Sequence, residues 1–430
     1  MSPTLFLAAA LIAQAPAATA ADAELAAQVR TLLQQLDAPQ RAARDEAERA
    51  LLELGSPALP LLATLPASAS AEVVSRVDRV RAVLYRNRAA ASLEASTVTL
   101  DAEDAPLGDV LAEFEKQTGN KLVDYRRQFG QQAGERRITL QLDKQPFWKA
   151  LDALAAAAGM EVYHFSGGDG LALVDAPPEA RHGVVEGRNV VYAGAFRLAL
   201  RRLVATREVG EERPVDLQID WEVAWEPRLK PLFFTLRDAE EQAVDDRGET
   251  LAPQTSDFVV EIPPPAKASR IEASLRYRAP PRNVTTLREF GGSLEVLMPA
   301  EPLTFRFDRL AAGAAREQRA GAVSTAIEPR PQLGGEGVAV ALRLRYDDAA
   351  NALESHRGWF YKNACYLEAA DGTHTKPASV ELARQAQNEL TLNFSFEPAA
   401  DWRGQTLVYQ TPADLVVLPI KFSFRDLPLP

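Results

Sequence analysis

The chain has 430 residues, with 48 Lys and Arg against 59 Asp and Glu, a net charge of −11, and 47% apolar against 25% charged residues. That composition excludes a disordered chain, and the acidic balance argues against a nucleic-acid partner, because a duplex binder needs cations to neutralise phosphates. A single cysteine excludes an internal disulfide framework and any multi-thiolate metal site.

At about 150 residues per domain the length predicts roughly three domains, or four small ones. Leu5 to Ala15 is an apolar run of 11 residues broken only by Gln14, small residues follow from Ala17 to Ala21, and Asp22 opens a charged chain. This layout predicts a signal peptide over residues 1–21, and with it an exported chain, periplasmic or extracellular, although no Lys or Arg precedes the run. The run is too short to cross a bilayer core of about 30 Å, and no other stretch reaches the roughly 18 apolar residues of a transmembrane span. Heavy use of Ala, Arg, Leu and Pro points to a bacterial source, so the sequons at Asn283 and Asn393 carry little weight.

Residues 22–92 predict helices. Leu25, Val29, Leu32, Leu33 and Leu36 form one stripe of a 3.6-residue repeat, which Asp37-Ala38-Pro39 breaks. Ala43, Ala47, Ala50, Leu51 and Leu54 form the next, ended by Gly55. Ser56-Pro57 reads as the start of a third helix, with Ser as N-cap and Pro in the first helical position. The last helix runs from about Ser70 to Arg88 with Val73, Val77, Val80 and Leu84 inward. The phrase DEAERALLELGSPALPLLATL resembles a HEAT-type helical repeat. One or two such repeats make a small helical N-terminal cap and no long solenoid groove.

Between Val98 and Asp175 the chain repeats itself at an offset of 40 residues. Val98-Thr99-Leu100 falls on Ile138-Thr139-Leu140, Pro106-Leu107 on Pro146-Phe147, Leu111 on Leu151, Phe114 on Leu154, Gly119 on Gly159 and Leu122 on Val162. Each half reads strand, turn, proline-started helix, glycine stop, strand, which predicts a split βαβ small domain with two helices covering one face of a small sheet. Gly167-Gly168-Asp169-Gly170 predicts a turn into a closing strand, Leu171 to Val174. The phrases VTLDAEDAPLGDVLAEFEKQTGNKLV and ITLQLDKQPFWKALDALAAAAGMEVY resemble the short N-terminal domain shared by secretins and TonB-dependent receptors, over residues 97–175. The resemblance implies a periplasmic interaction module without catalytic residues. No barrel-forming strand series follows it. The connecting segment Arg126 to Arg137 holds four arginines and reads as a solvated loop, with a grip on an acidic partner as the alternative.

Beyond a linker, Pro177 to Gly183, the period becomes two. Leu217, Ile219, Trp221, Val223 and Trp225 are expected to face a core, with Gln218, Asp220, Glu222 and Ala224 in water. Other strands are expected at Phe196–Val204, Leu232–Leu236, Phe258–Ile262, Ile271–Tyr277, Leu294–Met298 and Leu303–Phe307. A second set begins near Val323, with Val338–Tyr346, Phe360–Glu368, Ser379–Leu382, Leu390–Phe396, Thr406–Gln410 and Leu415–Phe424. Val296 to Phe307 resembles Val416 to Phe424, so two antiparallel β-sandwich units in tandem are expected, residues 183–310 and 322–430, joined by a polar connector from Arg309 to Gly321. A single large sandwich is the alternative. The expected fold class is multidomain α+β: helical cap, split βαβ domain, then the two sandwich units.

Chemistry is sparse. His356 and His374 flank Cys365, which invites a Cys–His reading, but Cys365 in phase with Tyr361, Asn363 and Leu367 reads as a buried strand residue. His164 and His182 have no second histidine at metal-ligand spacing. Asp245-Asp246 and Asp347-Asp348 have the ligand type for calcium but read as charged turns. Trp402 and then Trp359 are the candidates for exposed sugar platforms. No Gly-rich phosphate loop, G-x-S-x-G or H-E-x-x-H occurs. No catalytic, cofactor or metal residue is therefore assigned. The sequence points to an exported, non-catalytic protein that docks an envelope or extracellular protein partner through the βαβ domain, by a sheet edge or by its helices. A carbohydrate-binding or cell-surface protein using sandwich loops is the alternative, and a hydrolase with loop carboxylates the second.

Overall fold

A computed structural model describes residues 20–430 except 63–64, 67, 165–169, 178–183, 207–208, 210–215, 238–240, 256–257, 266–267, 301, 309, 311–314, 332–336, 348, 350–351, 354–356 and 398–401. The signal-like run, most of the Gly167–Gly170 turn, nearly all of the Pro177–Gly183 linker, His182, Asp348 and His356 lie outside the described residues. The fold is mixed α+β and mostly β, with six α-helices and 23 strands among the described residues. No described helix is long and apolar enough to cross a membrane. The chain divides into two compact units, residues 1–87 and 88–430.

The first unit holds α1 (Ala20–Gln35), α2 (Arg41–Glu53), α3 (Leu59–Leu62) and most of α4 (Ala71–Ser92). Its buried residues include Val29, Leu36, Ala47, Leu51, Leu62, Val73, Val77, Val80 and Leu84. Ser56 is not the expected N-cap: Gly55 takes φ 71°, and Ser56–Ala58 forms a 3-10 turn with no side-chain cap. Pro57 in that turn removes one N–H that a cap would have served. The capping serine is Ser70, whose Oγ accepts the Val73 N–H at 3.3 Å. Arg76 is buried between α2 and α4 and donates to Asp45 (2.9 Å), Glu48 (2.7 Å) and Glu72 (3.1 Å).

The second unit begins with the internal repeat. The first half is β1 (Thr97–Pro106), α5 (Leu107–Thr118) and β2 (Leu122–Asp124); the second is β3 (Arg137–Pro146), α6 (Phe147–Ala158) and β4 (Met160–Tyr163), closed by β5 (Leu171–Asp175). Pro106 and Pro146 precede the helices, and Gly119 and Gly159 end them in the left-handed conformation. The equivalence reaches further: Asp104 and Lys144, also 40 apart, both have positive φ, 49° and 44°. The single small sheet expected here is instead two. β1 and β3 pair as an antiparallel ribbon, while β5 lies between parallel β2 and antiparallel β4. The helices separate them because Leu111, Phe114, Leu151 and Leu154 share one core with Val98 and Ile138 of the ribbon and Leu122, Met160 and Leu173 of the other sheet.

The rest of the unit is built on two further cores. The first lies between the sheet of β6 (Val190–Ala193), β7 (Phe196–Thr206), β8 (Asp216–Trp225) and β12 (Arg270–Arg278) and the sheet of β9 (Phe233–Arg237), β10 (Gln242–Asp245), β11 (Val259–Ile262), β13 (Thr286–Pro299) and β23 (Leu415–Pro428). The second lies between the sheet of β14 (Pro302–Phe307), β18 (Cys365–Glu368), β19 (His374–Thr375) and β22 (Thr406–Pro412) and the sheet of β15 (Arg316–Ala320), β16 (Val323–Pro331), β17 (Val338–Tyr346), β20 (Ser379–Ala386) and β21 (Glu389–Phe396).

Three expectations need correction. The last strand does not complete the second β set: β23 pairs with β13 along its length, from Thr286↔Pro428 to Pro299↔Leu415. Residues 300–414 are thus inserted between two neighbouring strands, and the similar segments at Val296 and Val416 lie side by side. The strand expected at Leu294–Met298 begins earlier: β13 starts at Thr286 and runs through Gly291-Gly292, where a Cβ at Gly291 would sit 2.7 Å from the Phe422 carbonyl oxygen, so close packing of β23 requires the glycine. The outer face of β8 is not all wet, since Glu222 and Ala224 are buried, Ala224 within the core of the βαβ repeat.

That repeat is held to the β scaffold by Glu226, which is completely buried. Its carboxylate accepts from the Ser96 N–H (2.9 Å), Ser96 Oγ (2.6 Å), Asn120 Nδ2 (2.8 Å) and Arg228 Nε (2.6 Å). Arg228 donates onward to the Ser92 carbonyl at 2.9 Å and, at 2.5 Å, to that of Glu94. Nearby, the Leu93 carbonyl accepts from Ala195 N–H at 2.6 Å, and a Cβ at Gly194 would lie 2.2 Å from that oxygen. Trp148 Nε1 donates to the Ala195 carbonyl at 3.0 Å.

Two outcomes are expected. Asp45 and Glu72 are held below the usual carboxylate range, chiefly by their hydrogen bonds from Arg76. Depressed carboxyls stabilise the fold fully above about pH 4.5 and lose that contribution as the pH falls through their folded values. Arg76→Met should therefore weaken the acid dependence of the helical signal of the full chain, read by circular dichroism between about pH 5 and 2. Glu226→Ala leaves the buried Asn120 amide and the partly buried donors of Ser96 and Arg228 without their acceptor and should cost about 3 kcal/mol in denaturant unfolding.

Candidate docking surface

The module formed by the repeat presents its β1–β3 ribbon outward, and the two edges of that ribbon differ. Thr99 and Thr139 occupy equivalent places and exchange equivalent bonds: Thr139 Oγ1 accepts the Asp104 N–H at 3.1 Å, and Thr99 Oγ1 accepts the Lys144 N–H at 3.2 Å. On β1 the side chain of Gln117 then covers the edge. Its Oε1 accepts the Thr99 N–H at 2.9 Å and its Nε2 donates to the Thr99 carbonyl at 2.8 Å, as a neighbouring strand would. The residue 40 further on is Ala157, exposed and without a polar group, so among the described residues no equivalent side chain covers β3. Strand alternation directs the backbone of Thr139 and Gln141 to the same outer side, and both residues are exposed. The exposed β1 side chains Asp101, Glu103 and Asp104 are acidic, whereas those of β3 mix Arg137, Gln141, Asp143 and Lys144.

The arginine loop is largely spent on the module itself. Arg126 is buried and bonds Asp124 (2.7 Å) and the Gly134 carbonyl (3.1 Å). Arg136 reaches the Ala158 carbonyl (2.6 Å) and Asp175 (2.8 Å), and Arg137 reaches Asp104 (3.0 Å). Asp124 is accordingly held below its ordinary value, first by Arg126. Phe129 is exposed and packs edge-on to Tyr163 at 4.9 Å.

A partly buried charge cluster joins the module to the scaffold on a second side. Asp152 of α6 accepts from Arg197 (2.9 Å) and the Tyr192 hydroxyl (2.5 Å), and Glu222 pairs with Arg270 at 2.6 Å. Burial, with Asp152 beside it, pushes the Tyr192 phenol above its usual value. His164 sits near these arginines with an unbonded Nδ1. Burial, then Arg270, Arg197 and Arg201, depress its imidazole to about 3.

The other candidates disperse. Cys365 is buried, its thiol pushed up by burial, and it registers against Tyr409. Tyr361 is not in phase with it on a strand but lies in a 3-10 turn, Gly358–Lys362. His374 stacks on Tyr366 at 4.1 Å and lies 3.7 Å from Glu368. Trp402 and Trp359, the candidates for exposed sugar platforms, are both buried in the second β core, where Trp359 Nε1 donates to the Ala352 carbonyl at 2.7 Å. Asp245 organises its own turn by accepting the N–H groups of Arg247 (2.9 Å) and Glu249 (2.8 Å), and Asp347 pairs with Arg319. No group of three or more metal-ligating residues is present among the described residues. The Glu226 network and the Gln117 cover escaped the sequence reading. The former shows in sequence only as an acid inside the apolar phrase Trp221 to Leu229, and the latter only as the mismatch of Gln117 with Ala157.

His164 is expected to stay neutral across the physiological range. Its folded value lies below the ordinary 6.5, so the unfolded chain binds the extra proton. Stability should fall as the pH drops below about 6.5, by up to about 1.4 kcal/mol per pH unit from this group. His164→Phe should remove that component of the slope in chemical unfolding curves. Comparison of the chain with family models, with curated proteins and with solved structures returns no match.

Proposed function

We propose that the chain is an exported, non-catalytic docking protein that accepts an extended segment of an envelope or extracellular protein partner as an added strand on the outer edge of β3. The observation that carries this reading is the broken symmetry of the repeat: Gln117 seals β1 at Thr99, while Ala157 leaves β3 open. An unpaired edge offers main-chain donors and acceptors to a partner strand. The resemblance of residues 97–175 to the short domain of secretins and TonB-dependent receptors supports the same role, and the apolar run from Leu5 to Ala15 supports export. In this reading residues 22–92 are a HEAT-like cap, and the two β cores are two sandwich units, the second inserted into the first.

The test is affinity capture from the native envelope fraction with the full chain and two variants. Ala157→Gln installs on β3 the cover that β1 has. Gln141→Pro removes an outward N–H without touching the bonds to β1. Both should fold normally by circular dichroism and lose the captured partner. Retention of the same partner by both variants would rule out the β3 edge.

A further inference from the structure

A groove of about 730 Å³ opens between the two β cores, walled by Trp225, Trp359 and six prolines. We propose that it binds a small amphiphile with an aromatic or aliphatic body and one anionic head. The volume is that of a small-molecule site. Its proline-rich walls lack N–H groups at those positions, so little of the backbone can serve as donor there. The side-chain amides on the wall are already engaged: Asn363 Nδ2 donates to Tyr409 Oη (2.8 Å) and Thr411 Oγ1 (3.0 Å), and Gln410 Nε2 to Thr304 Oγ1 (3.2 Å).

What remains for a polar head is charge. Lys230 and Lys362 line the groove, both are exposed, and neither has an ion pair among the described residues. No carboxylate lines the groove among those residues, in a chain of net charge −11. Two ammonium groups that no described carboxylate compensates, beside an apolar trough, complement an anion carrying an apolar body. The walls are stiff, since the prolines are fixed in φ and the Trp359 indole is tied to the Ala352 carbonyl. Binding therefore orders little of the protein.

Anilinonaphthalene sulfonate and its uncharged counterpart phenylnaphthylamine are the probes, titrated into the folded full chain and read by fluorescence. The sulfonate should saturate at one site per chain. The double variant K230Q/K362Q should weaken the sulfonate by about tenfold, as two partly screened charges allow, and leave the neutral probe within about twofold. Ala364→Trp, at an exposed position on the groove wall, should abolish both while near-ultraviolet circular dichroism shows an intact fold. Equal loss of both probes in the lysine variant, or undiminished binding in Ala364→Trp, would overturn the proposal. So would displacement of the sulfonate by a polyglutamate peptide but not by naphthoate, which would make the occupant an extended acidic chain.

Discussion

The structure of the second unit depends on one buried carboxylate. Glu226 has lost all contact with water and recovers it through donors from Ser96, Asn120 and Arg228. A carboxyl buried in that setting is tolerable only when its hydrogen-bond partners are present. The bond set therefore acts as a single condition: the segment at Ser96, the end of α5 and the start of the β8–β9 connection must arrive together. Trp148 on the Ala195 carbonyl and Asp152 on Arg197 fix the same module at further points. The module thus meets the scaffold through α6 and the segments at Ser96 and Asn120, and one face of its β1–β3 ribbon is exposed.

The scaffold has its own long-range constraint. β13 and β23 are paired throughout, with residues 300–414 between them. β13 also carries β10 at Leu287–Gly291 and β9 at Glu295–Leu297. Because β23 occupies one edge of β13 along its whole length, β10 and β9 follow each other along the other edge. The inserted residues must bring the chain back before the first β core can close, and Phe422 and Phe424 then complete an aromatic cluster with Trp221 and Phe290. The groove between the two cores lies at this crossing, walled in part by residues flanking β13 and preceding β23.

The repeat shows how small differences separate scaffold from surface. Proline before each helix, glycine after it, the strained residues Asp104 and Lys144, and the reciprocal threonine bonds recur in both halves because both halves solve the same backbone problem. Gln117 and Ala157 do not solve the same problem. Among the described residues a side chain covers one edge at Thr99 and none covers the equivalent place on the other, and nothing in the packing of α6 requires a polar group at residue 157, which is exposed.

What the sequence determined by itself is what short stretches of chain can encode. The helical periods of α1, α2 and α4, both halves of the repeat with their proline starts and glycine stops, and strands such as β12, β17 and β21 follow from side-chain period and from turn residues within about ten positions. The strands it missed, β6, β10, β15 and β19, are short or polar, and their stability comes from neighbours rather than from pattern. Pairing partners were not legible either. The alternation of Leu415 to Phe424 marks a strand but not which of two cores it joins. The phrase around Trp402 looks like a polar loop until the surrounding apolar side chains close over its indole. Glu226, Asn120 and Ser96 carry no local signature, because a buried carboxylate is satisfied by donors over one hundred positions away in the chain. Only the tertiary structure decides such features, since burial and hydrogen bonding depend on which distant segments meet.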